Sequence, residues 1–327
     1  MMYLWKLNEN YKETSGDKYE LLLKTDKFSD SVTCVSFSCD GKYVAAGDMA
    51  GNLRVYLVED KSLFWSYEVG SDLEVIDWHP SCNVLFCGTS DGQFIMFKLS
   101  TNEIKVMYSG DNESLSCFKI LKDGKRAVCC YNNGTVRFWD LKTAQTLFNI
   151  PNAHEGAILC MDVNQDGNLV ASAGTDMKIH LANTNNGKTI VHLDCGSKKE
   201  KEVKESMNED QEPGEENSIE SLSFCKTLPI LACATLKGEV FTWDLQSQSL
   251  RNKIDNKVGF SKLIWNGQEQ LFGSTLDGSI ELYDGRNLNL IRKIKCFQNE
   301  ILDFCLNLNL NILFSTSNDA IKLYQIE

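Results

Sequence analysis

Three residues of this 327-residue chain, Ser172, His154 and Asp176, have the types that hydrolases use for nucleophilic attack. A serine hydroxyl attacks when an imidazole takes its proton and a carboxylate orients that imidazole, and the hydroxyl must stand at the mouth of a pocket. The sequence supplies the types without the setting. Neither Gly-x-Ser-x-Gly nor a Gly-x-x-x-x-Gly-Lys-Ser/Thr loop, a Gly-x-Gly-x-x-Gly turn or a His-Glu-x-x-His helix occurs. Metal chemistry lacks its spacing too: there are four histidines and thirteen cysteines, but no Cys-x-x-Cys pair. The expectation is no catalytic residue, no metal and no cofactor. The cysteines read as reduced thiols in a cytoplasmic protein, with the nucleus as a second location, because several sit inside apolar strand patterns and their number is odd.

Carboxylates are the other group that could do work. The 45 acids outnumber the 33 bases for a net charge of −12, which disfavours nucleic acid and anionic membrane and favours a basic protein partner. No run of 18 apolar residues is present, so membrane insertion is not expected. Which acids can act together depends on the elements that carry them.

Those elements repeat. One tight turn recurs with its second member at Gly51, Gly92, Gly134, Met177, Gly238, Gly278 and Asp319, at intervals of 41, 42, 43, 61, 40 and 41. Two and four residues later come apolar side chains, as in Leu53/Val55, Phe94/Met96 and Ile280/Leu282, the period of a half-buried strand. Five residues later stands an aromatic: Tyr56, Phe97, Trp139, Trp243, Tyr283 and Tyr324, with Ala182 the exception. An independent register, Phe37, Trp78, Ile120, Val163, Phe224, Trp265 and Leu306, drifts in step with the first. Each unit therefore reads as four strands in a meander, and a fixed period of this length predicts radially packed blades rather than a sandwich or single barrel.

Trp139-Asp140 and Trp243-Asp244 are the dipeptides that give WD40 repeats their name, and Tyr283-Asp284 is a softened copy. The fold expected is an all-β WD40 β-propeller of seven complete blades over residues 18–327. Residues 1–17 would form a partial eighth-blade strand and linker. Two readings of the start stay open: Tyr19–Leu23 supplies the outer strand that the last unit lacks, or it follows Met2–Leu7 as half a blade. The interval of 61 marks an insertion, residues 197–217, with eight acids and four lysines and almost nothing apolar. Such a segment gains too little from burial to offset its ordering entropy, so disorder is expected. In WD40 blades the positions of His154, Ser172 and Asp176 lock one loop to the tight turn.

In a propeller the loops entering each first strand and the turns between second and third strands share a face. That places Asp30, Asp48, Asp72, Glu74, Asp91, Asp111, Glu113, Glu155, Asp176, Glu216, Glu220, Asp277 and Glu300 together, with few lysines among them. The partner-binding set expected is Asp72, Glu74, Asp91, Glu113, Glu155, Glu220, Asp277 and Glu300.

Longer runs, among them Gly47–Tyr56, Asp72–Pro80, Asp123–Lys142, Asn164–Gly174, Ser218–Gly238, Leu276–Arg286 and Glu300–Phe304, resemble the angio-associated migratory cell protein family. Its fungal counterpart is a dedicated chaperone of a large-subunit ribosomal protein, and its animal members are linked to cell migration. The resemblance implies a monomeric, non-enzymatic chaperone in ribosome biogenesis that captures a basic client segment on the acidic face. It also implies eight blades, where this chain starts inside what would be the first. The competing reading is a general WD40 adaptor, including a cullin-type ubiquitin-ligase receptor, for which Tyr283-Asp284-Gly285-Arg286 is the one degenerate signal.

Overall fold

A computed structural model describes residues 1–7, 19–108, 112–196, 217–267, 269–307, 312–317 and 320–325. Every regular element among them is a β-strand. The chain divides into two compact units, one of residues 1–131 with 139–147, the other of residues 132–138 with 148–327.

The first unit opens with a two-stranded sheet, β1 (Tyr3–Leu7) and β2 (Tyr19–Lys24), followed by two four-stranded meanders. These are β3 (Val32–Phe37), β4 (Tyr43–Asp48), β5 (Asn52–Leu57) and β6 (Ser62–Glu68), then β7 (Leu73–Trp78), β8 (Val84–Thr89), β9 (Gln93–Lys98) and β10 (Glu103–Tyr108). The division runs through the next sheet, β11 (Leu115–Ile120), β12 (Arg126–Tyr131), β13 (Val136–Asp140) and β14 (Gln145–Ile150). In the second unit come β15 (Ile158–Val163), β16 (Leu169–Gly174), β17 (Lys178–Asn183) and β18 (Thr189–Asp194). They are followed by β19 (Ile219–Phe224), β20 (Ile230–Thr235), β21 (Glu239–Asp244) and β22 (Ser249–Asp255). Next are β23 (Phe260–Trp265), β24 (Gln270–Thr275), β25 (Ser279–Asp284) and β26 (Leu290–Lys295). The last sheet has three strands, β27 (Asp303–Asn307), β28 (Ile312–Thr316) and β29 (Ile321–Gln325).

The sequence explains each layer of a sheet. Second strands such as Val44–Gly47, Val170–Gly174 and Leu231–Ala234 are near-continuous runs of small and apolar residues, and they are buried on both faces. Outer strands are mostly exposed, with only an occasional half-buried residue, because they stand at the edge of their sheets. Within each unit neighbouring sheets clamp at their first strands. Trp78 is 4% exposed, and its indole Nε1 donates to the Ser36 carbonyl at 3.0 Å. Trp265 repeats the bond to Ser223 at 2.9 Å in the second unit. Ala45, Leu53, Val55, Ile76, Trp78, Leu85 and Phe97 form one core of the first unit, and Leu181, Leu193, Leu222, Phe224, Leu231 and Trp243 belong to one of the second.

At the amino-terminal end the structure decides between the two readings. β2 pairs with β1 from Tyr3↔Lys24 to Leu7↔Tyr19, so a boundary at residues 17/18 falls between the strands of one sheet. Among the described residues the last sheet has no fourth strand. Of the inserted segment, residues 197–216 lie outside the described residues. Asn217 is buried at 8%: its side-chain oxygen accepts from Ser218 N and Lys237 N, and its amide donates to Glu239 at 3.1 Å.

Candidate functional site

One end of five of the four-stranded sheets is tied together by a recurring bond. Ser90 N donates to Asp72 O at 3.0 Å and Leu236 N to Ser218 O at 3.0 Å, each joining the turn before a third strand to the loop entering a first strand. Val69 N donates to Gly51 O at 2.8 Å and Asn256 N to Gly238 O at 2.9 Å, which tie the end of the fourth strand to that same turn. Entering loops and tight turns therefore share one end of these sheets. The turn needs a residue with positive φ, supplied by glycine at Gly51 (+80°) and Gly278 (+83°) and by Met177 at 58° in the unit that lacks it.

A second device aims side chains. The pairing of first with second strands slips by one residue near its start in six sheets, between Leu73/Val75 and between Ile219/Ser221 for example. A β-bulge turns the extra residue out of the pleat. The bulge residues are Thr33, Glu74 and Ser116 in the first unit and Leu159, Glu220 and Ser261 in the second. Two of the expected acids, Glu74 and Glu220, thus stand on bulges, which the sequence register did not reveal.

The expected acids differ in what engages them. In the first unit Asp72 and Glu74 are exposed and Glu113 half-buried, and none has a hydrogen bond or ion pair with another described side chain. Asp91 is occupied, accepting from Thr89 Oγ1 at 2.5 Å and Gln93 Nε2 at 2.7 Å. Burial pushes its carboxyl up, but the donors Thr89, Gln93 and Ser71 outweigh that and hold it below the usual range. Asp48 is fully buried and caps its turn, accepting from Asn52 N at 2.7 Å and Ala50 N at 3.1 Å, while Asp30 accepts from Ser31 N at 2.7 Å.

In the second unit Glu300 is exposed without such a partner among the described residues. Glu155 pairs with Lys178 at 2.8 Å, and Glu220 accepts from Ser218 Oγ at 2.5 Å. Asp277 is held by Lys293 at 3.3 Å and Lys295 at 4.0 Å. Burial raises its carboxyl, but bonds from Thr275 and Ser279 and the charge of Lys293 bring it down to about 2. Asp111 and Glu216 lie outside the described residues. Sequence reasoning missed Glu281, an acid 1% exposed between Ile280 and Leu282, which accepts from Asn256 at 2.7 Å and from Tyr283 Oη and pairs with Lys293 at 2.8 Å. Its only signal was a carboxylate within an apolar run.

Ser172, His154 and Asp176 do form the predicted chain: His154 Nδ1 lies 3.1 Å from both Asp176 carboxylate oxygens, and Nε2 lies 2.9 Å from Ser172 Oγ. Ser172 is 1% and His154 3% exposed, so no substrate carbonyl can reach the hydroxyl. Asp176 also accepts from Glu155 N at 3.2 Å and Lys178 N at 3.1 Å, so the network fastens the entering loop to the tight turn. Ala182 fills the aromatic's place and is fully buried. His180 and His192 lie in contact beyond His154, with ring centroids 4.9 Å apart and planes tilted by 48°, and burial drives His180 down to about 3. Among the described residues no group of three or more His, Cys, Asp or Glu is placed to hold a metal.

The Trp-Asp pairs are structural. Trp139, Trp243 and Tyr283 are buried at 3%, 7% and 3%, and the aspartates close the turn after the third strand. Asp140 Oδ1 accepts from Lys142 N at 2.9 Å and Thr143 N at 2.8 Å, Asp244 Oδ1 from Gln246 N and Ser247 N, both at 2.9 Å, and Asp284 Oδ1 from Arg286 N at 2.8 Å.

Comparison with known proteins places this geometry. The WD domain, G-beta repeat family matches residues 21–56, and the anaphase-promoting complex subunit 4 WD40 domain matches residues 76–165. The chain is 35% identical over 320 residues to the human angio-associated migratory cell protein, covering 97% of this chain and 70% of that one, and the dog protein matches equally over 321 residues. It is 24% identical over 283 residues to the ribosome assembly protein SQT1 of Saccharomyces cerevisiae, covering 79% and 63% of the two chains. The S. cerevisiae Sqt1 crystal structure superposes with a TM-score of 0.82 over 99% of this chain and 90% of that one, at 18% identity. Chaetomium thermophilum Sqt1 bound to the N-terminus of ribosomal protein L10 superposes at 0.79, covering 94% and 87% at 18% identity. The fold is the WD40 β-propeller.

Proposed function

The chain belongs to the angio-associated migratory cell protein family, and from that premise we propose that it is a non-enzymatic chaperone or assembly factor that captures a basic segment of a large-subunit ribosomal protein. The observation that carries this reading is that several carboxylates are engaged by no described side chain: the exposed Asp72 and Glu74 and the half-buried Glu113 in the first unit and, separately, the exposed Glu300 in the second. Such acids are open to a partner's donors, whereas Asp91, Glu155, Glu220 and Asp277 are already engaged by local donors. The similarity to a protein named for ribosome assembly, and to one solved with the N-terminus of ribosomal protein L10, supplies the client class. Lysines and arginines of an extended segment would meet these carboxylates in charge-assisted hydrogen bonds. Each exposed pair contributes at most about 1 kcal/mol, so affinity has to come from several pairs and some apolar contact. The sites of action that go with this role are cytoplasm and nucleus, and the protein acts as a monomer.

A general adaptor role, including one in cell migration, is the second reading, and the name of the 35%-identical relatives favours it. Of the ubiquitin-ligase receptor form of that role the one signal is Arg286, an exposed side chain that pairs with Glu269 through Nε at 3.0 Å and through a terminal nitrogen at 2.8 Å. The test is calorimetric titration of the chain with a synthetic N-terminal segment of ribosomal protein L10. Saturable one-to-one binding supports the chaperone reading, and no heat from that segment at any salt concentration refutes it.

A further inference from the structure

Two exposed cysteines, Cys39 and Cys82, stand on neighbouring turns of the first unit. The first three four-stranded sheets each join first strand to second by a turn of five residues: 38–42, 79–83 and 121–125. These read Ser-Cys-Asp-Gly-Lys, His-Pro-Ser-Cys-Asn and Leu-Lys-Asp-Gly-Lys, so Cys39 is second in its turn and Cys82 fourth in the next. The turns lie away from the carboxylates: Asp72 and Glu74 flank the start of β7, whereas Cys82 follows its end.

Several bonds hold the two turns together. The strands leading into them are joined where Trp78 Nε1 donates to Ser36 O at 3.0 Å and Ser36 Oγ donates to Asp77 at 3.3 Å. Between the turns Asn83 Nδ2 donates to Asp40 Oδ2 at 3.0 Å, and Asp40 is itself fixed by Ser38 Oγ at 2.7 Å and Lys42 N at 3.1 Å. The repeat also tells which positions meet. From the second sheet to the third, the first residue of one turn touches the fourth of the next. His79 Nε2 lies 2.9 Å from Gly124 O, and a Cβ on Gly124 would stand 2.6 Å from the imidazole. From the first sheet to the second the same two places hold Ser38 and Cys82, and Cys39 is the residue after Ser38. The sulfurs are near enough to interact: burial first, and then a thiolate at Cys39, push the Cys82 thiol up.

We propose that Cys39 and Cys82 are a reversible oxidation site, a thiol pair that hydrogen peroxide converts into a disulfide linking the first four-stranded sheet to the second. The thiolate of Cys39 attacks one peroxide oxygen, the O–O bond breaks, and the departing hydroxide takes up the proton that Cys39 gave, leaving water and a sulfenic acid. The Cys82 sulfur then attacks the Cys39 sulfur, the S–O bond breaks, and a second water leaves with the Cys82 proton. Two thiols and one peroxide thus become one disulfide and two waters, with two electrons passing from sulfur to oxygen. Cys82 takes the second, resolving role because its surroundings disfavour its thiolate. A bond on exposed turns is open to reduction by small thiols, which makes the step reversible. It closes the chain from residue 39 to residue 82, a loop that holds β4, β5, β6 and β7, and long loops are where such a link constrains the unfolded chain most.

The test exposes the full chain to hydrogen peroxide, blocks the remaining thiols and maps unreduced tryptic peptides by mass spectrometry. Cleavage after Lys27, Lys42, Lys61 and Lys98 puts Cys39 with Cys34 in peptide 28–42 and Cys82 with Cys87 in peptide 62–98, so Cys39→Ser and Cys82→Ser variants assign the link. The expected result is peptide 28–42 joined to 62–98 in the parent, released by dithiothreitol and missing from both variants. The oxidised parent should melt at least about 4 °C above its reduced form. Peroxide should not shift the variants, whose reduced forms melt like the parent because both side chains are exposed. A link that survives in either variant would overturn the proposal, as would Cys39 oxidised only to sulfinic or sulfonic acid. Disulfides joining two copies of the chain as the main product, or a linked chain that melts no higher than the reduced one, would overturn it as well.

Discussion

Single carboxylates in this protein have sharply different occupations, and their neighbours decide which. Asp277 and Glu300 are both acids on loop or turn positions, yet Asp277 is neutralised by Lys293 and Lys295 while Glu300 faces water. Because the folded carboxyl of Asp277 lies at about 2, below its ordinary 3.8, it adds stability that is present above the ordinary value and is lost as pH falls through the folded one. Melting temperature measured between pH 5 and pH 2 should therefore fall less steeply for Asp277→Asn than for the parent, although exposure will keep the difference small. An identical slope would show that the lysines contribute nothing. The buried network of Ser172, His154 and Asp176 should respond more strongly. Ser172→Ala leaves the ring nitrogen of His154 without its partner, at a cost of about 1–3 kcal/mol, or a few degrees of melting temperature in a chain of this size. A variant melting within a degree of the parent would remove the network from the account.

Turns and strands were the most legible level, and the reason is periodic burial. The two registers placed the third strands because Leu53, Phe94, Val136, Ile179, Val240 and Ile280 must each be buried, and all are at most 1% exposed. The partnering of the first strands was not legible, since Tyr19–Leu23 has the composition of an outer strand whichever blade it serves. Nor were the ion pairs of the acids, because their lysines come from adjacent strands far along the chain: Lys293 stands sixteen residues beyond Asp277. The bulges that aim Glu74 and Glu220 leave no trace in composition. At the turns, Gly278→Ala should be costly. The residue has φ +83°, and an added Cβ would lie 2.2 Å from Asn299 O and 2.6 Å from Phe297 O, so backbone must move. Gly41→Ala, at φ +69° with nothing within 4 Å, should cost only its strain, on the order of 1 kcal/mol. Chemical denaturation of both variants checks the ranking, and equal losses would contradict the close-approach argument.

For the whole molecule, charge and repeat together frame the function. Replacing residues 198–216 by a short Gly/Ser linker should shift the melting temperature by less than about 2 °C, since that composition offers no core. Asn217→Ala should lower it, because that side chain binds Ser218, Lys237 and Glu239. A large loss from the first change with none from the second would invert this reading. A net charge of −12 alone would serve solubility, so the claim that particular carboxylates hold a basic client needs its own test. That test is titration of a Lys/Arg-rich client segment against the parent and against the Glu74→Lys, Glu300→Lys double variant, each at low and at high salt. Neither side chain belongs to a core cluster, so the fold should persist. The account predicts that the reversals weaken binding at least tenfold at low salt, and that the difference shrinks as salt screens the charges. Affinity unchanged by both the reversals and the salt would contradict it.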